Sequence, residues 1–334
     1  MLTLLLMGVN SGSGGAPRFE ARVGKIYSGA APGFGRNPFA GMATMDIGKV
    51  GAFCFLDAMT TPESVAFCRR VERMGYKVLW TPEAWGREPF SHGGYLLART
   101  DRLIYATGIA NIWVRDPMSM ASAARTLAEA AEGRFILGIG VSHRSLVEEL
   151  RGHQYVKPFS YMSEYIPRMK QALYKAAAPK AEPPLVIAAL HPKMLALAAR
   201  EAQGTHTYMC GPQHTAKARA IMGPDKWVCA SLVVILERDA ATARARAREH
   251  LSFYANQQNY RRILMSQGFT AADFENGCSD RLIDTMIAWG SEDKIAARIE
   301  ALLAAGANHV CLMPLRCDSS GLPDERALGA FAPR

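Results

Sequence analysis

Eight short, almost wholly apolar runs recur along the chain, at residues 50–56, 77–80, 103–109, 134–139, 185–189, 205–209, 227–236 and 309–315. Helical periodicity fills the intervals between them. A strand without polar alternation is buried on both faces, the condition of a parallel strand covered by helices. Regular β→α alternation leads to an α/β fold. A count of eight favours a closed (β/α)8 TIM barrel over an open doubly wound sheet. In such a barrel the loops leaving the strand C-termini build the site. Function therefore rests on the side chains that follow each strand.

Helix ends are written in local chemistry. Pro62 suits the first turn of a helix over 62–74, and Gly75 suits the position past its end. Asp116 and Pro117 start a helix that runs to residue 131. The carboxylate can accept free amide hydrogens, and proline has none to leave unpaired. Gly133 fits the left-handed turn that ends it. Two further helices open at Pro192 and Gln213, directly behind the fifth and sixth strands. Residues 239–266 read as one long helix, and 279–289 and 291–305 as two more, the last stopped by Gly306.

Residues 1–44 differ from the rest. Gly, Ser, Pro and Ala dominate, and the expectation is a disordered leader or start-site extension before a barrel domain over 45–334. No run of 18 apolar residues occurs, so no membrane span is expected. The seven cysteines include no Cys-x-x-Cys pair and mostly sit in apolar runs. That pattern points to a reducing cytoplasm, with neither a disulfide framework nor a zinc site. The net charge of +9 is interleaved with acids. It suits a polyanionic small ligand better than nucleic acid.

Polar, aromatic and apolar side chains mix after the strands, as an amphipathic planar ligand requires. Glu83, Trp85 and His92 follow the second strand, and Ile109, Asn111 and Trp113 the third. Ser142 and His143 follow the fourth, Leu190 and His191 the fifth, and Cys210 and Gly211 the sixth. The helix starts behind strands five and six present free N–H groups, a ready anion site. Gly138 and Gly140 end a strand rather than opening a helix, so they read as positions of close backbone approach, not a phosphate loop. No His, Asp and Glu set has metal-ligand spacing, and no Gly-x-Ser-x-Gly elbow of a serine hydrolase occurs.

Taken together, Thr107-Gly108-Ile109-Ala110-Asn111, Arg115-Asp116-Pro117, Arg125-Thr126-Leu127 and the run from Gly133 to Gly140 resemble the luciferase-like monooxygenase superfamily. The stretch from Ile287 to Lys294 is similar to that family's helix before the last strand. The likeness is greatest to the branch using the deazaflavin coenzyme F-420. It implies a barrel with the coenzyme at its C-terminal mouth and a non-prolyl cis peptide at Gly108–Ile109. Gly108, Ile109, Ala110 and Asn111 would back the ring, with Ser142 beside them. Leu190, His191, Cys210 and Gly211 would hold phosphate. There are departures. Related deazaflavin sugar-phosphate dehydrogenases often carry Asp-His where Glu83-Ala84 stands here, and an acid where His143 stands. The usual third glycine is replaced by Val141-Ser142. A proton relay would therefore use His143, with Glu83 or His92 assisting, since a histidine's reference pKa of about 6.5 lies near neutrality. The resemblance implies hydride transfer between coenzyme F-420 and a small organic substrate, in a homodimer. FMN-dependent monooxygenation and non-catalytic flavin binding are the alternatives.

Overall fold

Each strand of the ring finds a parallel neighbour on both sides. The computed structural model describes residues 45–318 and 320–333. In it β1 (Val50–Phe53) pairs with β2 (Val78–Thr81), and β2 with β3 (Ile104–Thr107). β3 pairs with β5 (Phe135–Gly140), which pairs with β6 (Leu185–Ala188). β6 pairs with β7 (Gly204–Thr207), and β7 with β8 (Trp227–Ile235). β8 pairs with β10 (His309–Pro314), and β10 returns to β1. The ring is the closed eight-stranded barrel that the alternation predicts. The reading of residues 1–44 as a leader or extension lies outside the described residues.

Two short strands stand off the ring. β4 (Ala110–Asn111) pairs with β5, and β9 (Ile287–Trp289) pairs with β8. Val233 and Val234 pair with both β9 and β10, so β9 continues the edge of β8 that β7 begins. The expectation of a helix over 279–289 is thus corrected. Its helix stops at Met286, and the next three residues take the free hydrogen-bonding edge of β8. The expected helix 239–266 is likewise two helices, Ala240–Ala255 and Gln258–Met265.

Eleven helices carry the connections, among the described residues: α1 (Thr61–Arg73), α2 (Pro89–Leu97), α3 (Pro117–Ala130), α4 (Pro158–Lys170), α5 (Pro192–Glu201), α6 (Pro212–Met222), α7 (Ala240–Ala255), α8 (Gln258–Met265), α9 (Asp280–Met286), α10 (Glu292–Ala304) and α11 (Glu325–Ala330). Outward strand residues such as Leu79, Tyr105, Leu137 and Ile187 pack with helix residues such as Phe67, Met120 and Leu195. At α3 the Asp116 carboxylate accepts from the Met118 and Ser119 amides, and Gly133 takes φ +87°, as read from the sequence.

The barrel interior is aromatic and partly polar. Trp80 Nε1 donates to His309 Nε2 (3.0 Å), which leaves His309 Nδ1 to donate to the Gly48 carbonyl (2.7 Å). His206 packs against Phe53 and Trp80 and bonds Ser231. Glycine makes room for these rings: a Cβ at Gly51 would lie 2.3 Å from His309 Nε2.

Burial pushes the His206 and His309 imidazoles down to about 3 and about 4, so both are neutral inside the barrel. The unfolded chain binds protons at about 6.5 that the folded chain cannot accept. Stability is therefore full above pH 6.5 and falls as pH drops from about 6.5 to about 4. The slope is roughly 1.4 kcal/mol per pH unit for each such histidine. A melting temperature that stays constant from pH 7.5 to 4.5 would contradict this, as would an unchanged slope in His309→Gln.

Candidate active site

The third strand breaks at the barrel mouth, and that break organises the site. β3 and β4 are separated by a cis Gly108–Ile109 peptide, the bond the resemblance implied. The detour is held from several sides. Gly108 N donates to the Thr81 carbonyl (2.7 Å). Thr107 Oγ1 donates to the Gly138 carbonyl (2.7 Å) and accepts from the Gly138 amide (2.9 Å), replacing ladder bonds. Ala110 and Asn111 rejoin the sheet opposite Ile139 and Gly140.

The two glycines of β5 exist because of this detour. A Cβ at Gly138 would lie 1.9 Å from the Thr107 carbonyl oxygen, and one at Gly140 would lie 2.7 Å from Ile109 Cγ1. Neither needs an unusual φ; both are needed for space. Gly108 is itself confined, its missing Cβ 3.3 Å from both Phe53 and Trp80.

Glu83 braces the same segment. Its amide donates to the Ile109 carbonyl (3.3 Å), and its carboxylate accepts from the Asn111 amide (2.8 Å) and from Arg115 Nη1 (2.7 Å). The Glu83 side chain is 6% exposed and that of Arg115 is 15% exposed. Arg115 reaches on to Glu88 (2.5 Å), whose carboxylate caps α2. The sequence reading has Arg115 only as part of the resembling motif, without this role, and does not single out Glu88.

Ser142 and His143 leave β5 beside the detour. Ser142 adopts φ +54°, and its carbonyl accepts from Tyr155 Oη (3.4 Å). The His143 ring meets Phe253 and Tyr260 at 5.5 Å and Tyr254 at 6.2 Å, and its Nδ1 is buried without a partner. Burial pushes its pKa down to about 4. The ring is thus neutral at pH 7, able to accept a proton but not stored as an acid, which corrects the expectation drawn from the reference value. His92 lies on α2. Burial and the nearby Arg87 cation hold it at about 4, against the opposing pull of Asp57. No hydrogen bond or ring contact joins His92 to His143 or Glu83. The aromatic set from α7 and α8 was missed, although His250, Phe253 and Tyr254 carry i, i+3, i+4 spacing, which puts them on one helix face.

Behind β6 and β7, α5 and α6 begin at His191 and Gly211 with no side chain capping their first amides. α3, α7 and α11 are capped by Asp116, Asp239 and Asp324, whereas α4 and α8 also start without a side-chain cap. His214 Nε2 contacts the Leu190 carbonyl (2.7 Å), while its Nδ1 and His191 Nε2 are buried without partners. Cys210 stays a thiol, its pKa raised by burial. Leu190, His191, Cys210 and Gly211 therefore gather around two open helix starts, a fit for phosphate.

Among the described residues there is no group of three or more His, Cys, Asp or Glu placed to hold a metal, and no helix long and apolar enough to cross a membrane. The family model described as luciferase-like monooxygenase matches residues 49–309. A Mycobacterium tuberculosis protein whose name assigns it provisionally to the coenzyme F-420-dependent oxidoreductases is 25% identical over 70% of this chain and 86% of its own length. The coenzyme F-420-dependent tetrahydromethanopterin reductase of Methanopyrus kandleri superposes with a TM-score of 0.65 at 16% identity, over 85% of this chain and 97% of its own. The FMN-bound oxygenating constituent of a Pseudomonas putida 3,6-diketocamphane monooxygenase gives 0.63 at 14%, over 85% and 96%.

Proposed function

Because this chain belongs to the luciferase-like monooxygenase family, we propose that it is an oxidoreductase using coenzyme F-420 to exchange a hydride with an organic substrate. The observation that carries the reading is the braced Gly108–Asn111 segment at the end of β3, and the two helix starts behind β6 and β7 that no side chain caps support it. The name of the mycobacterial relative supports the deazaflavin over FMN. The net charge of +9 suits an acidic coenzyme tail.

When bound, the deazaflavin supplies the hydride-carrying ring carbon. Gly108, Ile109, Ala110, Asn111 and Ser142 would hold the ring. The first-turn amides of α5 and α6, with His191 and His214, would hold its phosphate. His143 Nδ1 holds the proton of a substrate hydroxyl. Glu83, tied to Arg115, keeps the Gly108–Asn111 segment in place.

Titration of the purified protein with coenzyme F-420 and with FMN, followed by coenzyme fluorescence, tests the reading. The deazaflavin is expected to bind at least about ten-fold tighter, a difference of roughly 1.4 kcal/mol. Tight FMN binding without deazaflavin affinity would replace this reading with the FMN-dependent monooxygenase, which shares the barrel.

A further inference from the structure

One wall of the mouth is built almost entirely of rings. His143 follows β5 and Tyr208 follows β7. The end of α7 and the start of α8 bring Phe253, Tyr254 and Tyr260 over both. Tyr254 meets Tyr208 at 4.9 Å, Phe253 at 5.1 Å and Tyr260 at 5.2 Å, the last two edge to face. Phe253, Tyr254, Tyr208 and His143 are each only partly buried, so apolar ring surface stays available at the mouth. Within this wall, His143 Nδ1 is a buried nitrogen with no partner.

Two of the neighbouring cations are committed to carboxylates. Arg144 pairs with Glu148, and Arg246 pairs with Glu249 and donates to the Arg316 carbonyl. Arg151 donates to the Ala84 carbonyl and keeps one unpartnered nitrogen, Nε. An anion placed against neutral rings would lose its hydration, and of these three cations Arg151 alone is not paired with a carboxylate.

We propose that this wall receives the substrate, and that the substrate is an uncharged aromatic alcohol or ketone, its ring against Phe253 and Tyr254 and its oxygen at His143 Nδ1. This rests on the reading of the mouth as the coenzyme site and names the substrate class for it. A neutral imidazole can carry its hydrogen on either nitrogen. Nδ1 therefore accepts from an alcohol in one tautomer and donates to a ketone in the other.

The test uses 2-naphthol, naphthalene and 2-naphthoate as probes, titrated into the full chain with and without saturating coenzyme. With coenzyme present, 2-naphthol is expected to bind about five-fold tighter than naphthalene, as one hydrogen bond provides. The naphthoate should bind at least about ten-fold more weakly than 2-naphthol. His143→Phe keeps a ring and removes the nitrogen. It should erase the advantage of 2-naphthol while leaving naphthalene binding unchanged. Equal or tighter naphthoate binding would overturn the proposal, and its loss in Arg151→Gln would assign the wall to an anion. An intact 2-naphthol advantage in His143→Phe would also overturn it. Coenzyme affinity is read in the same titrations. Failed probes with normal coenzyme binding sink only the substrate class, whereas absent coenzyme binding sinks the functional reading itself.

Discussion

Gly138→Ala is expected to destabilise the protein by about 3 kcal/mol and to abolish tight coenzyme binding. The new methyl would lie 1.9 Å from the Thr107 carbonyl oxygen and 3.1 Å from its carbon. Both are backbone atoms, so no side chain can swing away. Thr107 cannot retreat easily, because its hydroxyl is tied to both the amide and the carbonyl of Gly138. Relief has to come from moving the segment that leads into Gly108–Ile109, the one proposed to back the coenzyme ring. Gly140→Ala makes a useful contrast. Its nearest neighbours are the Ile109 side-chain atoms at 2.7 and 2.8 Å, which can rotate. That variant should lose coenzyme affinity at a smaller cost in stability. Gly329→Ala in α11 meets nothing within 4 Å and should be neutral or slightly stabilising. Melting temperature and coenzyme titration across the three variants check the order. A Gly138→Ala protein as stable as Gly329→Ala would refute the crowding argument.

The parts legible in the sequence are those decided within a few residues. Asp116, Pro117 and Gly133 fix α3 by local capping and turn chemistry, and the structure places each as read. The eight apolar runs made the barrel legible, since double-sided burial leaves its mark on every strand. What was not legible depends on partners far along the chain. The role of Gly138 and Gly140 as points of close approach could be read, but the approaching Thr107 and Ile109 come from another strand. The three residues of β9 carry no helix-breaking signal; the open edge of β8 decides their state. His143 could be placed at a strand end from its position. Its proton affinity could not, because Phe253, Tyr254 and Tyr260 close over it from α7 and α8. Glu83 could be seen to follow β2, but nothing local tells a brace from a base.

Glu83→Ala is the second large effect expected, again about 3 kcal/mol. The substitution strands Arg115, a side chain 15% exposed, with only the outer Glu88 carboxylate as counter-charge. It also leaves the Asn111 amide without its acceptor. Removing one member of a buried ion pair costs more than the pair contributes, because the remaining charge stays desolvated. Glu83→Gln keeps an acceptor for Asn111 and loses only the charge, so roughly half that loss is expected. A brace and a base make different predictions for Glu83→Gln. A base predicts lost turnover with unchanged melting and unchanged coenzyme affinity. A brace predicts that melting and affinity fall together, and that Arg115→Met reproduces both. The double variant Glu83→Gln/Arg115→Met should then fall by clearly less than the sum of the singles, since the two side chains form one contact. Full additivity would remove the ion pair as the means by which the Gly108–Asn111 segment is held in place.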